Sequence, residues 1–209
     1  MTAFTILLGG TVVPTIRLKS QIANTIVIAA DSGIRHAKLL ELEPILWVGD
    51  FDSTSKNMKR NHRLIPKNLF PREKNMTDGE IAVHTAMKKG ATRLVLCGAF
   101  GGEKTDHVFF HMTIAIALAE RHIPVMLTSG SEEGWPLVAG HYTFDFPNKT
   151  AFSIVAFSSL ESLSIHGAKW PLHSRSLDFG SSRTLSNTVS GKLSISLQSG
   201  KGLLLSRPR

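Results

Sequence analysis

Apolar and polar positions follow two different rhythms along this chain. Up to about residue 128, short apolar runs alternate with segments of helical spacing. Phe4 to Leu8, Thr25 to Ala30, Ile45 to Val48, Thr92 to Cys97 and Pro124 to Leu127 read as buried strands. Between them, Ile34 to Leu42 has helical spacing. A second helix opens at Thr77 and presents Ile81, Val83, His84 and Met87 on one face, and a third runs to about His122 with Val108, Met112, Ala115, Ile116 and Ala119 on its buried side. Residues 54 to 62 are polar and basic, a surface helix or loop, and the apolar, proline-punctuated stretch Arg63 to Pro71 has room for an edge strand. Strands alternating with helices imply a mostly parallel sheet with right-handed crossovers.

The punctuation agrees with the periodicity. Thr77 with Glu80 three residues on fits a capping box. Lys88 and Lys89 suit the other end of that helix, and Gly90 is a natural residue beyond it. Gly9-Gly10 and Asp31-Ser32-Gly33 each follow an apolar run directly, which places tight turns at strand ends.

After Thr128 the texture changes. Residues 129 to 134 form a linker-like run of Ser, Gly and Glu, and no helical period follows. Short alternating runs recur instead, at Ala151 to Phe157, Leu160 to Ile165, Leu185 to Val189, Leu193 to Leu197 and Leu203 to Leu205, separated by Gly167, Gly180, Gly191 and Gly200. Trp170 reads as part of their core. The expected architecture is an α/β domain over residues 1–130, a mostly parallel sheet with flanking helices, followed by a smaller all-β sandwich or barrel over residues 135–209.

Composition narrows the class of ligand. The chain has 209 residues, 42% hydrophobic, with a formal charge of +8. Ten of its 24 basic residues fall between positions 51 and 100, against four acids there, so the positive excess is local. That suits a polyanionic ligand. No nucleic-acid-binding pattern is evident. The single cysteine, Cys97, cannot form an internal disulfide and sits in an apolar run as an inert core residue. There is no apolar stretch of membrane-spanning length and no secretory-type start, so a soluble cytoplasmic protein is expected.

The chemistry-bearing residues gather at the strand ends. Asp50 and Asp52 lie one residue apart just after the third strand; in extended backbone both point one way. Two carboxylates so close repel unless a cation lies between them, and a hard divalent ion such as Mg²⁺ arriving with a phosphate is the natural one; a solvated acidic turn is the plainer reading of Asp-x-Asp alone. Asp31 is either a helix cap or a ligand residue, and Asp78 either a partner of the helix dipole or part of the acidic set. Gly101-Gly102 and Lys104 lie in the turn before Asp106 and His107. In a parallel sheet these turns share one edge, and glycines, lysines and carboxylates gathered there make a nucleotide-polyphosphate site. Gly98 to Thr105 almost spells a P-loop, but Glu103 stands where glycine is required, which excludes that cradle.

These turns together resemble the thiamine pyrophosphokinase (thiamine diphosphokinase) family. The likeness rests on Asp31 and Gly33; Gly49-Asp50-Phe51-Asp52-Ser53; Lys74, Thr77 and Asp78; Gly101, Gly102, Asp106 and His107; and Ser186-Asn187. It implies transfer of the terminal diphosphate of ATP to the hydroxyl of thiamine, giving thiamine diphosphate and AMP, with Mg²⁺ as cofactor, in a homodimer. By position, Asp50, Asp52, Asp78 and Asp106 would form the catalytic, metal-holding acidic cluster. Lys74 and Lys104 would neutralise phosphates, while Asp31, Gly33, Thr77, Gly101 and Gly102 line the ATP pocket. Ser186 and Asn187 would contact thiamine across the dimer. The sequence departs from the family pattern at Asn75, where an acid is frequent, and in a turn before Asp106 that is one residue longer, with Lys104 where Arg is frequent. His107 would bond the acidic cluster or cap its helix. Two other functions compete: a pyrophosphokinase for another hydroxymethyl heterocycle such as a pterin, and a non-catalytic nucleotide or polyanion sensor.

Overall fold

The structure, a computed structural model, describes residues 2–51, 54–69 and 75–208, without the side chains of Lys56 and Leu69. By its internal contacts the chain divides into two compact units: Met1–Ile114 with Ile123–Gly130, and Ala115–His122 with Ser131–Arg209.

The first unit is built on six parallel strands: β1 (Ala3–Leu7), β2 (Ile26–Ala30), β3 (Leu46–Gly49), β4 (Lys67–Leu69), β5 (Arg93–Cys97) and β6 (Val125–Thr128). Their order across the sheet is β6-β5-β1-β2-β3-β4. Ile6 stands beside Ile28 on one side and Leu96 on the other, all fully buried. Near-continuous apolar strands are what a sheet covered on both faces demands. The helices are α1 (Ile16–Ile22), α2 (Arg35–Leu40), α3 (Lys56–Asn61), α4 (Asp78–Lys88) and α5 (Thr105–Glu120).

The five buried strands expected here are present within a residue or two of their expected ends, and the stretch Arg63 to Pro71 holds the short strand β4 (Lys67–Leu69). Helix α1 was not marked by the pattern. It has seven residues and buries only Leu18 and Ile22, too little apolar period to register, yet Thr15 caps it by accepting from the Leu18 N–H at 3.1 Å. Helix α4 has the expected start and stop. The Thr77 hydroxyl accepts from the Glu80 N–H at 3.2 Å, and Gly90 follows the C-cap with φ +84°.

The second unit is antiparallel: β7 (Glu133–Leu137), β8 (Gly140–Phe144), β9 (Ala151–Ala156), β10 (Leu160–Ala168), β11 (Leu172–Leu177), β12 (Asn187–Leu197) and β13 (Gly202–Arg207). Their order is β11-β10-β12-β9-β13-β7, with β8 also on β12. Phe144, Phe152, Ile154, Leu163, Ile165, Leu193, Ile195 and Leu204 form its core. Two expected runs, Leu185 to Val189 and Leu193 to Leu197, meet in the single strand β12. It continues through Gly191 at φ +119°, pairing with β9 at its start and with β8 and β10 further on.

Two expectations for this region are corrected. The run 129–134 is not linker throughout: β7 begins at Glu133, whose buried carboxylate accepts from the Trp135 indole N–H at 3.2 Å. Trp170 is not core. It lies between β10 and β11, 54% exposed, with the Lys169 ammonium 4.4 Å above its ring. An aromatic residue in a turn between strands has no facing layer to enter, and the cation covers it instead.

Candidate functional site

The sheet order places a switch point at β1. From it the chain runs outward through β2, β3 and β4 on one side, then through β5 and β6 on the other. Loops leaving β1 and its neighbours part there, and the crevice beyond the strand ends is where open α/β sheets take ligands. A cavity of about 400 Å³ lies at this point. Its walls are the turn after β1 (Leu8 to Gly10), the turn after β2 (Ala30 to Ser32, with Arg35), the start of α4 (Thr77 to Gly79), and residues Gly101 to Lys104 with His107, Val108 and His111 of α5.

The turn after β1 is held by close backbone approach. The Gly10 N–H donates to the Gly98 carbonyl at 2.9 Å, and the Thr11 N–H to the Phe100 carbonyl at 2.8 Å. A Cβ on Gly10 would stand 2.3 Å from the Phe100 oxygen and 2.4 Å from that of Gly98. Glycine is required here so that two loops can pack together. The Gly10 N–H is already engaged and is not a free donor for phosphate, which narrows the role expected of these glycines.

Two side chains that the sequence did not single out hold the same turn from the other side. The Arg35 guanidinium donates to the carbonyls of Gly9 and Gly10, and His36 Nε2 lies 2.9 Å from the Gly10 oxygen. Burial lowers the His36 pKa, against a raising effect of the bond to Gly10, so the neutral ring donates through Nε2–H. The only sequence signal was position, since Arg35 follows Asp31 by one helical turn.

Asp31 follows β2 directly with φ +41°. Its carbonyl accepts from the Trp47 indole N–H at 2.8 Å and its carboxylate from the Thr54 hydroxyl at 3.2 Å. Gly33 does not line the cavity. It lets the turn close on β1, where a Cβ would lie 2.1 Å from the Leu7 oxygen.

Of the other expected site residues, Thr77, Asp78, Gly101, Gly102 and Lys104 line the cavity with Asp31. Gly101 and Gly102 adopt φ +66° and +89°. Asp50 follows β3, two strands from β1 and so about 10 Å across the sheet. It is half-buried and outside the cavity lining. Asp106 is exposed in the first turn of α5, also outside the lining, and accepts from the His107 N–H at 3.0 Å. Asp52 and Lys74 lie outside the described residues. Among the described residues no three His, Cys, Asp or Glu side chains cluster as a metal cage.

Ser186 and Asn187 belong to the second unit. Ser186 is exposed with φ +57°. Asn187 is buried, and its amide grips backbone: Oδ1 accepts from Trp170 N–H at 3.1 Å and Thr188 N–H at 2.8 Å, while Nδ2 donates to the Trp170 carbonyl at 2.8 Å.

His111 completes the first unit's cavity wall and was also missed; its signal was the helical step from His107. Cys97 is inert as expected, its thiol pushed up to about 12 by burial.

Comparison with known proteins agrees with this fold. Residues 19–127 match the family model for the thiamin pyrophosphokinase catalytic domain, and residues 141–204 that for the thiamin pyrophosphokinase vitamin B1 binding domain. No curated protein sequence matches the chain. Among solved structures, the fold is similar to that of thiamine pyrophosphokinase from Bacillus subtilis, with TM-score 0.88 and 20% identity over 99% of both chains. It is also similar to the Geobacillus thermodenitrificans protein (0.82, 23%, over 100% of this chain and 98% of that one) and to the Candida albicans protein (0.80, 14%, over 100% and 89%). At such identities the structural likeness speaks for the fold, while the catalytic-domain match spans over half of the 209 residues by itself. The chain therefore belongs to the thiamin pyrophosphokinase family, and it is a thiamine diphosphokinase.

Proposed function

We propose that the cavity at the switch point takes the triphosphate and nucleoside of ATP, and that the second unit supplies the thiamine-binding surface of a homodimer. The observation that carries this reading is the convergence of Asp31, Asp78, Arg35 and Lys104 on one cavity of about 400 Å³. Cations there neutralise phosphate oxygens.

Mg²⁺ fits the donor set. It binds oxygen, keeps several waters, and is usually held by one or two carboxylates with the substrate's phosphates, so no preformed cage of three protein ligands is needed. Asp78 would hold it from the cavity wall, with Asp50, Asp52 and Asp106 as further members of the acidic set. The bound ion would supply neutralisation of the charge on the transferring phosphates.

The chain's own residues bind and orient. Arg35 and Lys104 hold phosphate oxygens, and Gly101-Gly102 bring the loop close to them. The thiamine hydroxyl oxygen attacks the β-phosphorus, the bond from that phosphorus to the oxygen bridging to the α-phosphate breaks, and AMP leaves with that oxygen. A carboxylate of the acidic set accepts the hydroxyl proton. Ser186 belongs to the thiamine surface, and Asn187 positions it through the Trp170 backbone. A cytoplasmic location suits this chemistry.

The test is product analysis. ATP, thiamine and Mg²⁺ together should yield AMP and thiamine diphosphate in equal amounts. ADP as the product, or AMP formation independent of thiamine, would reject the proposed transfer.

A further inference from the structure

His111 is held in a way that no catalytic role above requires. It is 8% exposed, on the second turn of α5, and it lines the cavity. Its Nδ1 lies 3.0 Å from the carbonyl oxygen of Ala99, just beyond β5. A carbonyl only accepts, so Nδ1 carries the proton. Burial, with a smaller contribution from His107, lowers the ring's pKa and keeps it neutral, against the raising effect of the bond to Ala99. Nε2 is then a bare acceptor. It has no hydrogen-bond partner among the described residues, and it stands 3.7 Å from where a Cβ on Gly79 would lie, on the cavity's α4 wall.

An unpartnered acceptor on the wall of a ligand cavity selects what can occupy the place before it. Phosphate oxygens are acceptors and are disfavoured there. A ligand N–H or O–H is favoured. Lys104 stands just before α5, and His107, Val108 and His111 follow at helical spacing along the helix, so the wall grades from a cation ahead of the helix start to flat or apolar groups further in. Such a wall accepts a polyphosphate at one end and a planar heterocycle at the other.

We propose that His111 is a specificity-determining residue for the donor nucleotide. Its Nε2 accepts a hydrogen bond from the exocyclic amine of a 6-aminopurine and rejects a 6-oxopurine, which would set acceptor against acceptor. This rests on the cavity being the nucleotide site, and it goes further by assigning a residue to base choice. A site built to bond a ligand N–H discriminates against analogues lacking it, because the acceptor is left without that partner.

The test compares ATP, GTP and purine riboside triphosphate, which lacks the exocyclic amine, as donors and as ligands in direct binding measurements. On the unmodified protein, ATP should exceed purine riboside triphosphate by about tenfold in kcat/KM and in affinity, and GTP should fall lower still. In His111→Phe, ATP should lose about tenfold through KM for the nucleotide, and purine riboside triphosphate should lose little. The comparison on the unmodified protein stands whether or not that variant folds. Equal use of ATP and GTP, equal losses on ATP and purine riboside triphosphate in the variant, or a change confined to KM for thiamine would overturn the proposal. Failure of all three nucleotides to bind the unmodified protein would remove the nucleotide reading of the cavity as well.

Discussion

The indole N–H of Trp47 donates to the carbonyl oxygen of Asp31 across 2.8 Å, from β3 to the residue after β2. Trp47 is fully buried, and the ring of Phe51 meets it edge-on with centroids 4.7 Å apart. The bond holds Asp31 in a left-handed conformation that a non-glycine residue adopts only when its surroundings enforce it. Trp47→Phe keeps the aromatic packing and deletes the donor. We expect a loss of about 1–2 kcal/mol in stability by denaturant unfolding, with a rise in KM for ATP as Asp31 leaves its place.

Glycines at two positions separate steric need from conformational need. Alanine at Gly33 would bring its Cβ to 2.1 Å of the Leu7 oxygen, with backbone on both sides of the contact. Gly33→Ala should destabilise by about 2 kcal/mol or more. At Gly90 a Cβ meets nothing within 4 Å, and only the φ of +84° opposes it. Gly90→Ala should lower stability by about 1 kcal/mol. Thermal unfolding of the two variants side by side checks the order.

Asn187→Ala should act on the second unit's stability before it acts on chemistry. The buried amide satisfies the N–H and the carbonyl of Trp170 and the N–H of Thr188. Leaving these unpaired should lower stability by about 2–3 kcal/mol. Asn187→Asp restores only the acceptor half, so partial recovery of the unfolding midpoint would trace the loss to these bonds.

Chelation should stop turnover and leave the fold. Among the described residues no cluster of three ligands exists to make a metal structural. Excess EDTA should therefore abolish AMP formation with an unchanged thermal midpoint for the ligand-free protein, and added Mg²⁺ should restore it. Asp78→Asn should likewise lose turnover by about a hundredfold or more with little change in midpoint.

Stability should fall on the acid side of neutrality. Burial lowers the pKa of both His36 and His111 in the folded chain. Below about 6.5 the unfolded chain takes up these protons while the folded chain resists. The contribution of both rings is thus whole above that pH and is lost as pH falls through their folded values. Urea midpoints measured across that range should decline, and His36→Gln should make the decline shallower.

Five of the six parallel strands were legible because each is a compact apolar run ending at a turn residue. Ile45 to Val48, closed by Gly49, predicts β3 nearly to the residue. What escaped had weak apolar period. Helix α1 buries two side chains, and β11 (LHSRSL) buries only Leu177. In the site, acids and glycines at strand ends stood out, and Asp31, Asp78, Gly101 and Gly102, with Thr77 and Lys104, were expected by number. Arg35 and His111 did not stand out, because their roles come from which backbone carbonyls the fold brings beside them. That depends on Gly9, Gly10 and Ala99 arriving from distant parts of the chain. Asp50 shows the reverse: a conspicuous residue that the strand order sets two positions away from the crevice strand.

The sealed thiol of Cys97 has a practical consequence. It is the chain's sole cysteine, and burial within β5 keeps it in the unreactive form at any pH suited to handling the protein. The molecule is therefore a natural blank for maleimide chemistry. A fluorophore or spin label installed through one engineered surface cysteine will report from that place alone, with no background to engineer away, on an otherwise unaltered chain.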